Sequence, residues 1–120
     1  MLQDLLNDAP RSEPLVRIYK NYICFNAVAV KLLGLKEGDS VSIMRDDRDG
    51  YLYVANCNSM KQSHAITMKK TIFTVSSAPL CRKMAENLEG FGTYKICKDE
   101  TQEYMGHKFY NIFKKKYGKD

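Results

Sequence analysis

The sequence of 120 residues contains no apolar run that approaches the roughly 18 residues a membrane-spanning helix requires. Its first residues, MLQDLLNDAPRSEP, include Asp4 and Asp8, where a secretory signal peptide has a basic start and a long apolar stretch. Both absences argue against a membrane or secreted protein. The sequence therefore predicts a cytoplasmic protein with no membrane partner.

Residues that build metal and catalytic sites are scarce and scattered. The four cysteines contain no C-x-x-C pair, and the two histidines, His64 and His107, have no second ligand at helical or hairpin spacing. Three of the cysteines lie inside apolar patterns, where a reduced thiol behaves as a small core residue. We therefore expect buried free thiols, no metal and no cofactor. A Cys–His nucleophile assembled across the fold stays open as a weaker alternative.

Motifs for phosphate, calcium and acid–base chemistry are also missing. Gly90 and Gly92 follow a predicted helix, whereas a phosphate-binding loop opens one. A calcium-loop register over DDRDG would place Arg45 and Asn56 where carboxylates are needed, so this segment is predicted to be a hairpin turn. The carboxylates of KDETQE lie in a polar connection, where solvation explains them. The sequence thus predicts a protein that is not an enzyme, and an enzyme assembled from distant residues is the weakest hypothesis.

What the sequence does contain is the composition of a soluble globular domain, with 44% apolar and 28% charged residues. Its net charge of +5 is concentrated at one end of the chain. Residues 107–120 hold five lysines against Asp120 alone, a net charge of +4, which leaves +1 for the preceding residues. The basic character is therefore mainly a property of the last segment.

Two stretches of the chain follow the same order of predicted elements. In residues 15–57, LVRIYKNYICF predicts one bent strand or two short ones. AVAVKLL predicts a short helix capped by Asn26 and ended by Gly34, and SVSIMR with YLYVANC predicts a hairpin. In residues 64–117, HAITMKKTIFTV predicts a strand, residues 79–89 a helix and GTYKICK a strand. KDETQEYMG is then a polar connection, and HKFYNIFKKK is a last strand or, by its spacing, a helix.

These repeated elements predict an α+β fold in which two βαββ units pack as a pseudo-two-fold single domain. One unit of about 45 residues buries too little surface to be stable alone, whereas two units share a sheet or barrel-like core. The domain covers residues 15–120. Residues 1–14 form a loosely attached arm because Pro10 and Pro14 break any longer helix. A true duplication stays open because residue identity between the halves is low.

The segment from Lys20 to Val54 resembles the AbrB-like, swapped-hairpin family of small bacterial DNA-binding proteins. The shared features are the strand YICF, the helix AVAVKLLGL ending in L-G-L, the KEGD turn, and the strands SVSIM and YLYV joined through DG. The resemblance implies an interleaved dimer-like fold that binds DNA through basic side chains, with the second half of this chain in the partner's place. Asn26 stands where the family usually has proline. Of the basic pair common in the helix only Lys31 is present, beside Val30.

Basic side chains interleaved with aromatic ones are the candidates for a nucleic-acid site, because lysines neutralise phosphates and exposed rings stack on bases. The candidates are Arg17, Lys20, Lys31, Lys69, Lys70, Lys114, Lys115 and Lys116. They predict a non-enzymatic nucleic-acid-binding module, such as a transcriptional regulator, that holds the DNA backbone. In the alternative hypothesis the lysines only keep sheet edges soluble, and the protein is an interaction or assembly module that binds a second copy or another protein.

Overall fold

The computed structural model of the protein describes residues 13–57, 64–65, 67–69 and 72–117, which form a mostly β structure with two short helices. The strands are β1 (Leu15–Ile18), β2 (Tyr22–Phe25), β3 (Ser40–Arg45), β4 (Leu52–Asn56), β5 (His64–Ala65), β6 (Thr67–Lys69), β7 (Ile72–Ser76), β8 (Gly92–Tyr104) and β9 (His107–Lys116). The helices are α1 (Ala27–Leu33) and α2 (Ala78–Asn87). Neither helix is long and apolar enough to cross a membrane, and the described residues contain no other helix.

All strands of the described residues belong to one antiparallel sheet in the order β5-β3-β4-β9-β8-β1-β2-β7-β6. The outermost strands, β5 and β6, are only two and three residues long. The seven longer strands between them curl into an antiparallel half-barrel. Curling allows one face of a sheet to enclose apolar side chains, as the right-handed twist of strands favours.

The predicted α+β fold of two βαββ units is wrong, because the protein is mostly β and its strands form one sheet in which the pairs β1–β8, β2–β7 and β4–β9 join the two predicted units. Strand β2 pairs with β1 and β7, whereas the hairpin β3–β4 that follows α1 pairs with β5 and β9. Strand β1 lies between β8 and β2 and so joins the two halves of the chain. Backbone groups of short strands need partners on both sides, and here segments far apart in sequence supply them.

The second correction concerns KDETQEYMG, which is not a polar connection. Strand β8 continues through this segment to Tyr104 and forms a long hairpin with β9 that turns at Met105 and Gly106. The register shifts between the pairs formed by Cys97 and Thr101, so residues 98–100 bulge out of the ladder. The acidic residues are therefore part of an exposed hairpin. The strand prediction for HKFYNIFKKK is confirmed, and its helical alternative is wrong.

One face of the sheet, called the first face, carries both helices and the larger core. Helix α1 buries Ala29 and Leu33 and helix α2 buries Cys81 and Met84, as their amphipathic spacing predicts. The strand residues of this core are Val16, Ile18, Ile23, Phe25, Val41, Leu52, Val54, Val75, Tyr94, Ile96 and Ile112. On strands β1 and β2 these residues alternate with Arg17 and Cys24, whose side chains therefore lie on the opposite, second face.

The second face has a smaller core of its own, formed by Tyr53, Ala55, Cys57 and Phe109. Asn111 lies near this cluster on β9, opposite Tyr53 on β4, and is completely buried. Neither its side-chain oxygen nor its nitrogen has a hydrogen-bond partner among the residues that the structure describes. A buried amide without a partner is rare in proteins, since it loses its hydration without compensation.

The two ends of α1 follow local rules that the sequence predicts. The side chain of Asn26 accepts a hydrogen bond from the backbone N–H of Ala29 at 2.9 Å, which confirms the N-cap. It also accepts from the N–H of Leu15 at 3.0 Å and donates to the carbonyl of Glu13 at 2.9 Å, so it ties the helix to β1. Gly34 ends the helix with φ of 66°, a left-handed conformation that glycine adopts without strain.

None of the four cysteines, all of which lie in the described residues, forms a disulfide, as predicted. Cys57 and Cys81 are buried, whereas Cys24 and Cys97 are only half-buried. Burial raises the pKa of the Cys24, Cys81 and Cys97 thiols, and the nearby Arg17 partly offsets this for Cys24. A raised thiol pKa keeps the sulfur protonated and therefore poorly nucleophilic.

Candidate nucleic-acid interface

An exposed stack of side chains occupies the hairpin between β1 and β2. The guanidinium carbon of Arg17 lies 5.2 Å from the centroid of the Tyr19 ring. The Tyr19 and Tyr22 rings are stacked, with centroids 4.6 Å apart and an angle of 23° between their planes. These three side chains are called the tyrosine stack. They present a delocalised cation and two aromatic rings at one surface.

The tight turn of this hairpin produces the stack. Ile18 pairs with Ile23, and the backbone N–H of Tyr19 donates to the carbonyl of Tyr22 at 2.9 Å. Only Lys20 and Asn21 remain to make the turn, and both are exposed. Residues directly opposite each other across a hairpin have neighbouring side chains, so the turn sets the two tyrosine rings side by side. Lys20 lies in the same turn, between the two tyrosines in sequence, and is exposed.

The sheet register brings the end of β9 towards this hairpin. Arg17 pairs with Thr93 on β8, and the carbonyl of Thr93 accepts a hydrogen bond at 2.8 Å from the N–H of Tyr117, just after β9. Tyr94 pairs with Lys116 one residue further along. Adjacent strands lie about 4.8 Å apart, so the β1 and β9 backbones are about 10 Å apart here.

Lys116 and Lys115 contribute differently to this surface. The aliphatic carbons of Lys116 cover Gly92, the nearest lying 3.2 Å from where a Cβ would stand, so this position requires glycine. The backbone N–H of Lys116 donates to the carboxylate of Glu89 at 3.1 Å. Lys115 is exposed and makes no ion pair within the described residues. Its charge is therefore available to a ligand.

The three chain segments that meet here contain no acidic residue. Residues 15–25, 91–98 and 107–117 hold eight lysines and arginines and no aspartate or glutamate. Strands β2, β1, the first half of β8 and β9 lie in these segments and are consecutive neighbours in the sheet. The second half of β8 carries Asp99, Glu100 and Glu103, and Glu103 pairs with Lys108 at the far end of β9. We call these three segments the basic sheet region. Glu13 approaches it from outside and pairs with Lys95 at 2.9 Å, which raises the pKa of that lysine.

The remaining predicted site residues lie apart from the tyrosine stack. Lys114 is half-buried, with its ammonium group 5.0 Å from the centroid of the Tyr51 ring, beside the β3–β4 turn. Lys31 is exposed in the last turn of α1, next to a shallow cavity of about 360 Å³. Lys69 belongs to β6 at the sheet edge, and Lys70 lies outside the described residues. The structure thus places Arg17 and Lys20 in the β1–β2 hairpin and Lys115 and Lys116 two strands away at the end of β9, and it leaves the AbrB-like candidate Lys31 on α1, at the first face.

None of the aromatic residues of this surface, Tyr19, Tyr22, Phe91 and Tyr117, was among the predicted site residues. Phe91 is 46% exposed and directly precedes Gly92, which pairs with Ile18 as the last pair of the β1–β8 ladder, so Phe91 lies at the same end of that ladder as the β1–β2 turn. Tyr117 follows β9 and is joined to Thr93. The sequence did contain a signal for Phe91, which stands between two glycines after a predicted helix. No apolar pattern surrounds this position, so an exposed ring could have been predicted. The glycines were interpreted only as the residues that follow the helix, and the ring between them was not considered.

A second polar cluster ties the β3–β4 turn to the β8–β9 hairpin. The Asp46 carboxylate accepts hydrogen bonds from the Gln102 amide and from the backbone N–H of Arg48 at 2.9 Å. The Gln102 bond, followed by those of Arg48, lowers the pKa of Asp46 to about 2. A cavity of about 330 Å³ adjoins this carboxylate, with Tyr53 and Phe109 among its lining residues. Because the oxygens of Asp46 already have donors, we interpret the cluster as a structural link.

The described residues hold no group of three histidine, cysteine or acidic side chains arranged to bind a metal ion. In the DDRDG segment, the Asp49 carboxylate accepts a hydrogen bond at 2.8 Å from the backbone N–H of Tyr51. Asp46 likewise accepts from the backbone of Arg48, so these carboxylates stabilise the turn. The hairpin-turn prediction for this segment is confirmed.

No protein-family model, curated protein or solved structure matches this chain in comparisons with known proteins. The resemblance of residues 20–54 to the AbrB-like family therefore stays a prediction from sequence. What can be inferred about function rests on the geometry and charge of the described residues.

Proposed function

We propose that the protein is a non-enzymatic nucleic-acid-binding module and that the basic sheet region holds the phosphate backbone of its ligand. The observation that carries this proposal is the gathering of three acid-free segments on neighbouring strands. A transcriptional regulator is the role that the AbrB-like resemblance implies, and the binding proposal does not depend on that resemblance.

The charge of the chain is strongly segregated. The basic sheet region carries eight basic groups and no acidic ones, whereas the rest of the chain carries 11 basic and 14 acidic groups, a net charge of −3. Arginine and lysine side chains within about 10 Å of each other repel one another at physiological salt, because the Debye length is of that order. A polyanion relieves this repulsion and releases its own counterions when it binds. Segregated charge also orients and accelerates the approach of a charged ligand.

The test is a salt titration of binding to a short oligonucleotide, with a variant that removes exposed charges from the basic sheet region. When Arg17, Lys20 and Lys115 are all replaced with alanine, the negative slope of log K against log salt should become smaller in magnitude by roughly 2 to 3. Each lost phosphate contact removes one released counterion, which is the reason for the change in slope.

The matched control replaces one arginine and two lysines that are exposed elsewhere, Arg82, Lys36 and Lys83, with alanine. This variant has the same net charge as the first and should keep the wild-type slope. Equal slopes for the two variants would show that only total charge matters and would contradict the proposed site. Absence of binding by the wild type at about 50 mM salt, where phosphate contacts are strong, would contradict the proposed function. The same titration with Lys31→Ala tests separately whether the residue implied by the AbrB-like resemblance contributes to binding.

An interaction module remains the second candidate because of the β8–β9 hairpin. Met105 at its tip is 71% exposed and the adjacent Tyr104 is 47% exposed, which is unusual for large apolar side chains. An assembly of copies through this tip predicts self-association by sedimentation velocity that Met105→Ser abolishes. A monomer at all concentrations would remove this support for self-assembly.

A further inference from the structure

We infer that the ligand of the basic sheet region is a single-stranded nucleic acid whose unpaired bases stack on the tyrosine stack and Phe91. This inference rests on the proposed function and specifies its substrate class. It adds base contacts to the phosphate contacts that the charge alone provides.

The exposed rings are the first observation in its favour. Tyr22 is 38% exposed and stacks on Tyr19, and Phe91 is 46% exposed and precedes the first residue of β8, at the same end of the β1–β8 ladder as the β1–β2 turn. Aromatic faces at a basic surface bind bases of any sequence, since every base has a π-face. In a duplex those faces are covered by the neighbouring base pairs. Only unpaired bases can therefore use these rings.

The stack is also held in place before any ligand binds. Tyr19 contacts both the Arg17 guanidinium and the Tyr22 ring, and the backbone bond between the two tyrosines closes the turn. Side chains that are already ordered lose little conformational entropy on binding. A base that joins this stack extends an existing arrangement.

A shallow cavity lies directly beside the stack on the second face. It has a volume of about 320 Å³ and is lined by Arg17, Tyr19, Cys24 and Thr93 among others. This volume is at the lower end of the roughly 300 to 1,000 Å³ that small-ligand sites occupy. A base with its sugar can enter this cavity while Lys20 and Lys115, both exposed, bind the flanking phosphates.

The experiment distinguishes the contribution of the bases to the binding affinity from that of the phosphates. Binding of the full chain is measured by fluorescence anisotropy at fixed low salt to four labelled oligonucleotides of equal length. These are oligo-dT, oligo-rU, an abasic deoxy strand with the same phosphates, and a hairpin duplex. The wild type should bind the abasic strand and the duplex roughly ten- to a hundredfold more weakly than oligo-dT or oligo-rU, because one or two stacked bases are lost. Whichever of oligo-dT and oligo-rU binds with the higher affinity identifies the ligand as DNA or RNA.

Tyr22→Leu and, independently, Phe91→Leu should lose affinity for the base-bearing strand and keep their affinity for the abasic one. Tyr104→Leu, an equally exposed ring at the β8–β9 hairpin, is the control and should bind as the wild type does. Far-UV circular dichroism verifies that each variant is folded. Equal binding of oligo-dT, oligo-rU and the abasic strand by the wild type would overturn the stacking inference and leave the proposed function standing. No binding to any strand would overturn both.

Discussion

Asn111 and Asp46 are two polar side chains that differ in burial and in hydrogen bonding. Asn111 is fully buried on β9 and its amide has no hydrogen-bond partner in the described part of the chain. Asp46 lies in a turn and accepts hydrogen bonds from Gln102 and Arg48. A buried polar group without a partner costs free energy, whereas a carboxylate with several donors is stabilised in its charged form. Each residue therefore gives a prediction about stability.

Asn111→Leu should stabilise the protein by about 1 to 3 kcal/mol, because leucine has a similar size and no hydration to lose on burial. Urea unfolding followed by circular dichroism measures the change. Ser42→Ala should have the same effect with a smaller magnitude, since the buried Ser42 hydroxyl also lacks a hydrogen-bond partner within the described residues. Destabilisation of Asn111→Leu would mean that the amide is satisfied in solution.

Asp46→Asn should destabilise the protein at neutral pH and should make no difference in strong acid. The folded-state pKa of Asp46 is about 2, below the ordinary value of 3.8. Its charged form therefore stabilises the fold above about pH 4, and this contribution disappears as the pH falls through about 2. Melting temperatures of wild type and variant, measured from pH 6 to pH 2, should converge towards low pH. Parallel curves would contradict the assigned hydrogen bonds.

At the scale of single elements, the helices and the β3–β4 hairpin were predictable, whereas the pairing of strands was not. Asn26 and Gly34 fix the ends of α1 through contacts within a few residues, so sequence alone places them. The neighbours of β1 depend on β8, which lies more than 70 residues away in the sequence. Local patterns contain no information about such partners. This is why two similar element orders suggested two units where one sheet exists.

Helix packing gives a prediction about how much one apolar residue of each helix contributes to stability. Met84 on α2 is fully buried in the first-face core, whereas Leu32 on α1 is half-buried at its edge. Met84→Ala should therefore cost about 2 to 5 kcal/mol, and Leu32→Ala should cost clearly less. Guanidinium unfolding of both variants measures the difference. Equal costs would show that α1 packs more deeply than the described contacts indicate.

At the scale of the whole molecule, the curled sheet places basic segments from three parts of the chain side by side. Arg17 and Lys20 were named as candidates from sequence, because basic and aromatic residues alternate along residues 17–22, but Tyr19 and Tyr22 were not. The nearness of Phe91 and Lys115 to them was not recognisable, since it depends on the order of β9, β8 and β1 in the sheet. The lysine cluster at 114–116 looked like one site, but strand geometry gives its members different surroundings.

The most direct test of the claim that the basic sheet region binds nucleic acid is a map of the bound surface by photocrosslinking. Oligo-dT carrying 5-iodouracil is irradiated with the full chain, and crosslinked residues are identified by mass spectrometry. The predicted result is crosslinks to Tyr19, Tyr22 or Phe91 that disappear in the Arg17, Lys20 and Lys115 triple variant and persist in the Arg82, Lys36 and Lys83 control. Crosslinks confined to Tyr51, Tyr104 or other rings outside this surface, unchanged in the triple variant, would contradict it.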